Sequence, residues 1–152
     1  MTMPKLDMNR WQDFPGTPNR LSGQNDGPYA QLVLGDQEKL AQFGVLLERL
    51  PPGSRSSHRH WHETEDEFVF VLSGELVLVE DAETTLRAGD AAAWAAGAPV
   101  AHCLENRSSA DVVYLEIGDR TPGDEGSYPD DDIRAALVEG AWRFTRKDGT
   151  PY

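Results

Sequence analysis

From Tyr29 onward the chain is a succession of short apolar runs separated by turn residues, and this pattern restricts the fold more than any other feature. Runs cover residues 31–34, 43–50, 67–72, 75–79, 84–86, 91–95, 102–105 and 111–117. Between them stand Pro51-Pro52-Gly53, Ser73-Gly74, Glu80 to Ala82, Ala88-Gly89-Asp90 and Gly97-Ala98-Pro99. Many short strands at this spacing indicate a β-sandwich or barrel. The β-branched and aromatic residues of Phe68-Val69-Phe70-Val71 and Val112-Val113-Tyr114 favour strand over helix.

The two ends read differently. Residues 1–28 are punctuated by Pro4, Pro15, Gly16, Pro18, Gly23, Gly27 and Pro28. They are expected to form an N-terminal arm, either lying over another surface such as a partner subunit or frayed. Residues 29–152 form one domain. Near its end, Asp130-Asp131-Asp132 precedes an apolar stretch at 133–138, and Gly140 follows. Acid in a first turn and glycine past the end predict a short C-terminal helix. Residues 142–145 then form a last strand or an extended tail.

Composition narrows the partners. A chain of 152 residues with net charge -12 lacks the basic face that nucleic acid or an anionic membrane requires. One cysteine, Cys103, excludes an internal disulfide framework and a cysteine-rich zinc module. No window is apolar enough to span a bilayer. The N-terminus shows no signal-peptide pattern, so the expected location is the cytoplasm, and Asn106-Arg107-Ser108 is read as a chance glycosylation sequon.

The chemistry concentrates at His60-Trp61-His62. In a strand, residues i and i+2 share a face, so both imidazoles can point at one ion. Glu67 adds a carboxylate after a short connection, and His102 lies on a separate strand. Three imidazoles and one carboxylate suit Mn, Fe, Co, Ni, Cu or Zn. On residue type alone, a solvated cluster of His58, His60 and His62 is an equal reading. No His-Glu-x-x-His, Gly-x-Gly-x-x-Gly, P-loop or Gly-x-Ser-x-Gly pattern is present.

Spacing separates the two readings. Gly53-x6-His60-x-His62-x4-Glu67-x6-Gly74 resembles the first motif of the cupin superfamily, Gly-x5-His-x-His-x3-4-Glu-x6-Gly. Gly89-x5-Ala95-x-Gly97-x4-His102-x3-Asn106 resembles the second, Gly-x5-Pro-x-Gly-x2-His-x3-Asn. Ala95 replaces a proline, two extra residues precede His102, and one follows Gly53. These departures fall in turns and leave every ligand type in place.

The resemblance implies an all-β jelly-roll barrel, a double-stranded β-helix, with His60, His62, Glu67 and His102 binding one divalent transition metal. It makes Gly74, Gly89 and Gly97 turn glycines, and Asn106 a structural hydrogen-bonding residue. It implies a metal-dependent dioxygenase, isomerase or lyase acting on a small oxygen-rich molecule, or a non-catalytic small-molecule sensor. Single-domain members commonly pair, so a homodimer is expected.

Around this centre, His58 is read as a residue of the pocket mouth, a proton shuttle, or simply exposed. Alternation points Cys103 and Trp61 away from the metal. One of Glu48 and Arg49 projects inward unless both lie at a rim. The alanines at 91–93, 95 and 96 either leave room for a ligand or allow close sheet packing.

Overall fold

The computed structural model describes residues 4–16 and 25–151. Parts of the N-terminal arm, residues 1–3 and 17–24, lie outside the described residues. The described chain is all-β, and its strands pair antiparallel.

One wall is a six-stranded sheet in the order β1-β2-β3-β10-β5-β8. These strands are β1 (Gln12–Phe14), β2 (Tyr29–Val33), β3 (Phe43–Leu50), β10 (Val112–Asp119), β5 (Glu67–Ser73) and β8 (Ala91–Trp94). The facing wall has two parts. One runs β13-β12-β11-β4, comprising Ala141–Thr145, Arg134–Val138, Glu125–Ser127 and Trp61–His62. The other runs β7-β6-β9, comprising Glu83–Arg87, Glu75–Val79 and Cys103–Glu105. A bridge between His60 and His102, with backbone bonds of 3.2 and 3.0 Å, joins the two parts. This closed arrangement is the expected jelly roll.

Alternation decides which side chains enter the barrel. Leu50, Val69, Val71, Leu76, Leu78, Leu86, Trp94, Leu104, Val112 and Tyr114 form one buried cluster. Leu50, Val71 and Val112 are fully buried. Each such side chain stabilises the fold by about 1.5–3 kcal/mol. The same parity carries polar residues inward at the other end. Glu48 follows Leu50's face on β3, Glu116 follows Tyr114's on β10, and Glu67 follows Val69's on β5.

The turn glycines have the backbone that the motifs imply. Gly74 has φ 83°, and a Cβ there would sit 2.8 Å from the Asp111 carbonyl oxygen. Asn106 is buried and donates to the carbonyls of Leu50 (2.7 Å) and Ala110 (2.8 Å). It holds the β3 and β10 ends together.

The expected C-terminal helix is absent. Residues 134–138 are β12, returning as β13 with Val138 opposite Ala141. Glu139 (φ 52°) and Gly140 (φ 78°) form a two-residue turn. Two consecutive positive φ values suit a tight hairpin. Six apolar-rich residues are too few to sustain a helix without packing, whereas pairing with β11 satisfies the backbone and buries Ala135. In the N-terminal segment, β1 extends the sheet beside β2, and Phe14 stacks on Tyr29.

Candidate metal centre

Three imidazoles and Glu67 meet at a cavity of about 300 Å³ inside the barrel. His62 lies on β4, and His60 and His102 form the bridge between the two halves of one wall. Glu67 opens β5, opposite Trp94 of β8. Trp94 stacks on His102 at 3.6 Å and 6°, and its indole N–H donates to Glu80. The sheet register therefore fixes both members of the His102–Glu67 contact, 2.9 Å from Nε2 to Oε2.

Each imidazole is held through Nδ1. His60 Nδ1 donates to the His58 carbonyl (2.9 Å) and His102 Nδ1 to the Val100 carbonyl (3.0 Å). His62 Nδ1 donates to the buried carboxylate of Asp124 (2.5 Å). Asp124 is held in turn by the backbone N–H and hydroxyl of Thr64, both at 2.9 Å. With Nδ1 turned to these acceptors, each Nε2 faces the cavity, and that of His102 meets Glu67. His60 Nε2 and His62 Nε2 face one another at 3.2 Å, and His62 Nε2 is 3.8 Å from Glu67. A shared cation, whether a proton or a metal ion, satisfies both nitrogens. One donor atom each of His60, His62 and Glu67 lies within 4.8 Å of the others. Oriented neutral imidazoles with a carboxylate, steadied by outer hydrogen bonds, are the donor set of a divalent transition metal. The residues present fit such an ion.

The local field has the same sense. Burial lowers the basicity of His60. For His62 burial acts the same way, but Glu67 and Asp124 outweigh it and the ring is raised. Burial alone would raise Glu67, yet the His102 hydrogen bond and the neighbouring imidazoles hold it below its ordinary value. The centre thus favours positive charge beside an ionised Glu67.

The alternation argument did not single out the carboxyls opposite this group. Glu65, pushed up to about 7 mainly by burial, lines the cavity, as does Glu116, pushed up to about 8 mainly by burial and then by Glu48. Gly118 makes space for Glu65, since a Cβ there would lie 2.0 Å from Oε1. Strand parity could have found Glu116, which shares the face of Val112 and Tyr114, whereas Glu65 lies in the loop before β5, where alternation does not apply. Asp124 carried no such signal, because it sits in a Gly/Pro-rich loop.

Of the other sequence candidates, Glu48 is the inward one. It is buried and accepts from Tyr114 Oη (2.6 Å) and Gln31 Nε2 (2.8 Å). Burial raises its carboxyl despite both bonds. Arg49 faces outward over the Trp11 ring. His58 is neither exposed nor at the cavity. It is buried, with Nδ1 2.7 Å from Asp131 and Nε2 3.0 Å from Arg55. Its carbonyl, not its ring, serves the site. Cys103 is buried in the wall, its thiol pushed up to about 11 chiefly by burial. The alanines leave little imprint on the cavity: Ala91, Ala93, Ala95 and Ala96 are exposed, and Trp94 is the inward residue.

Residues 46–118 match the Cupin domain family. A crystal structure of a cupin-superfamily sugar phosphate isomerase from Silicibacter pomeroyi is 44% identical, with a TM-score of 0.88 over 98% of this chain and 96% of that one. The chain is a cupin. A protein from Acidithiobacillus ferrooxidans, proposed in its name to be a sugar phosphate isomerase, is 28% identical, with a TM-score of 0.76 over 84% of this chain and 81% of that one. A predicted oxalate decarboxylase of Thermotoga maritima is 26% identical, with a TM-score of 0.54 over 62% of this chain and 83% of that one. A search of the curated proteins finds no match. The cupin motifs thus coincide with the residues that converge in the barrel. Among the described residues, no helix is long and apolar enough to cross a membrane.

Proposed function

We propose that this cupin is a metal-dependent isomerase acting on a small polyhydroxylated carbonyl compound. One observation carries the reading: Glu65 and Glu116, both with raised pKa values, line the same cavity as the His60–His62–Glu67–His102 group. Isomerisation of a hydroxy-carbonyl compound moves a proton between neighbouring carbons and their oxygens. A group that titrates near neutrality is suited to take and return such a proton. Glu65, at about 7, is assigned that role. Glu116, at about 8, is assigned the protonated partner that donates to a substrate oxygen.

A divalent metal at the centre would supply the polarisation of a substrate carbonyl and an adjacent hydroxyl. His60, His62, Glu67 and His102 would hold it. Asp124 keeps His62 in the tautomer that offers Nε2. Trp142 sits edge-on to His62 at 5.8 Å and, with Tyr128 stacked on His60 at 5.1 Å, limits water around the centre. The likeness to the Silicibacter pomeroyi isomerase supports the reaction class.

The test runs in D2O with metal-loaded protein and a panel of aldoses and ketoses. Incorporation of deuterium at the carbon next to the carbonyl, lost in Glu65→Gln, is the expected result. Substrate binding with neither carbon-bound deuterium nor aldose–ketose interconversion would identify a binding protein instead. Protein purified without a His tag is expected to retain about one equivalent of metal per chain, measured by elemental analysis. His60→Ala and His62→Ala should each lose it.

A further inference from the structure

We infer that the ligand of this cavity is an uncharged polyhydroxylated molecule, a free sugar or polyol, and not its phosphate ester. The inference rests on the isomerase reading of the same site but concerns the charge of what binds. Among the described residues, the lining carries Glu48, Glu65, Glu67 and Glu116 and contains no lysine or arginine. A bound phosphate monoester brings about -1.5 to -2 charges near neutrality. Proteins hold such a group with Arg or Lys forks or with the N-terminus of a helix. Among the described residues neither is available: no lysine or arginine lines this cavity, and the one helical element is the short 3-10 turn Gly35–Glu38.

The neighbouring space does not repair the deficit. A second cavity of about 640 Å³ meets the first at Glu65, Glu116 and Trp142. The one cation lining it is Arg120. That guanidinium already donates to the Leu40 carbonyl (2.9 Å) and pairs with Asp36. Asp119 and Glu139 line the same space. Among the described residues, neither cavity is lined by a guanidinium that is not already paired with a carboxylate.

What the cavity does offer suits hydroxyls. Carboxylates accept from two hydroxyls at once, and a protonated carboxyl donates as well. Ser57 and Tyr128 add hydroxyl groups to the lining. Trp142 and Phe144 reach the cavity and remain 39% and 50% exposed, so their rings present an apolar face to the C–H side of a sugar. About 300 Å³ lies at the lower end of small-molecule pockets.

The experiment is calorimetric titration of the metal-loaded full chain. Ribose, xylose, glucose, mannose, ribulose and fructose are compared with the corresponding 5- or 6-phosphates at fixed ionic strength. Glu116→Gln is measured beside the wild type. The expected result is binding of at least one free sugar, with its phosphate ester at least tenfold weaker. Glu116→Gln should leave that ratio within threefold of the wild type, since a protonated carboxyl and an amide carry the same charge. Esters binding as tightly as free sugars, or more tightly, would overturn the inference while leaving isomerisation intact. Failure of every free sugar to bind would overturn it as well. Free-sugar preference without deuterium incorporation would uphold the inference and remove the isomerase reading.

Discussion

At the scale of single residues, the candidate centre depends on groups outside the His60–His62–Glu67 cluster. Asp124 is the clearest. It fixes the His62 tautomer and is itself held by Thr64, so Asp124→Asn is expected to weaken metal binding by about 10- to 100-fold. Competition against a chelator would measure this, with circular dichroism confirming an intact fold. Glu116 makes a prediction about pH. Its folded-state value of about 8 lies above the ordinary 4.5, so the folded state holds a proton that the unfolded chain releases. The associated stability is fully present below about 4.5 and is lost as pH rises through 8. Glu116→Gln, which cannot ionise, should therefore raise the Tm of metal-free protein more at pH 8 than at pH 5. An equal change at both values would show that burial is not what holds the proton.

At the scale of elements, strand register does the positioning. β5 places Glu67 opposite Trp94 of β8, and β10 places Glu116 opposite Val69 of β5. Gly118 ends the inward row of β10 and leaves the volume that Glu65 occupies. Gly118→Ala should displace the Glu65 carboxyl while the imidazoles stay in place. Metal content is then expected to remain near wild type while deuterium exchange falls at least tenfold. Loss of metal together with exchange would mean that Glu65 and the ligands move as one unit. The β12–β13 hairpin is the element whose sequence misled. Its acid-rich start and following glycine mimic helix boundaries, yet the stretch between is short and its partner strand, β11, lies close by. Pairing to β11 decided the outcome, and this places Trp142 and Phe144 at the cavity.

At the scale of the molecule, charge and apolar surface are unevenly shared. The chain carries -12 overall. The outer side of the six-stranded sheet nevertheless presents Phe68, Phe70, Leu115, Ile117 and Val45 in adjacent registers. Phe68 is 36% and Leu72 47% exposed. An uncharged face is where a second copy can approach without stacking like charges, and a two-fold pair uses one patch twice. We propose a homodimer through this face. Light scattering should give twice the mass of the chain, and Phe68→Arg with Leu72→Arg should give monomer.

By itself, the sequence determined the barrel and pointed to His60, His62, Glu67 and His102 as candidate ligands. Alternation is a property of neighbouring residues, and the turn glycines mark where each strand must end, so His60, His62 and Glu67 were legible from local spacing. His102 was legible from a second motif of the same kind. The orienting carboxylate of Asp124 was not, because it stands 62 residues from His62 and meets it only when β11 pairs with β4. The convergence of Glu65 and Glu116, the burial of His58 against Asp131, and the lack of lysine or arginine among the described residues of the cavity belong to the same class. Each depends on which strands become neighbours across the barrel. Burial raises the two carboxyls only after the walls have closed around them.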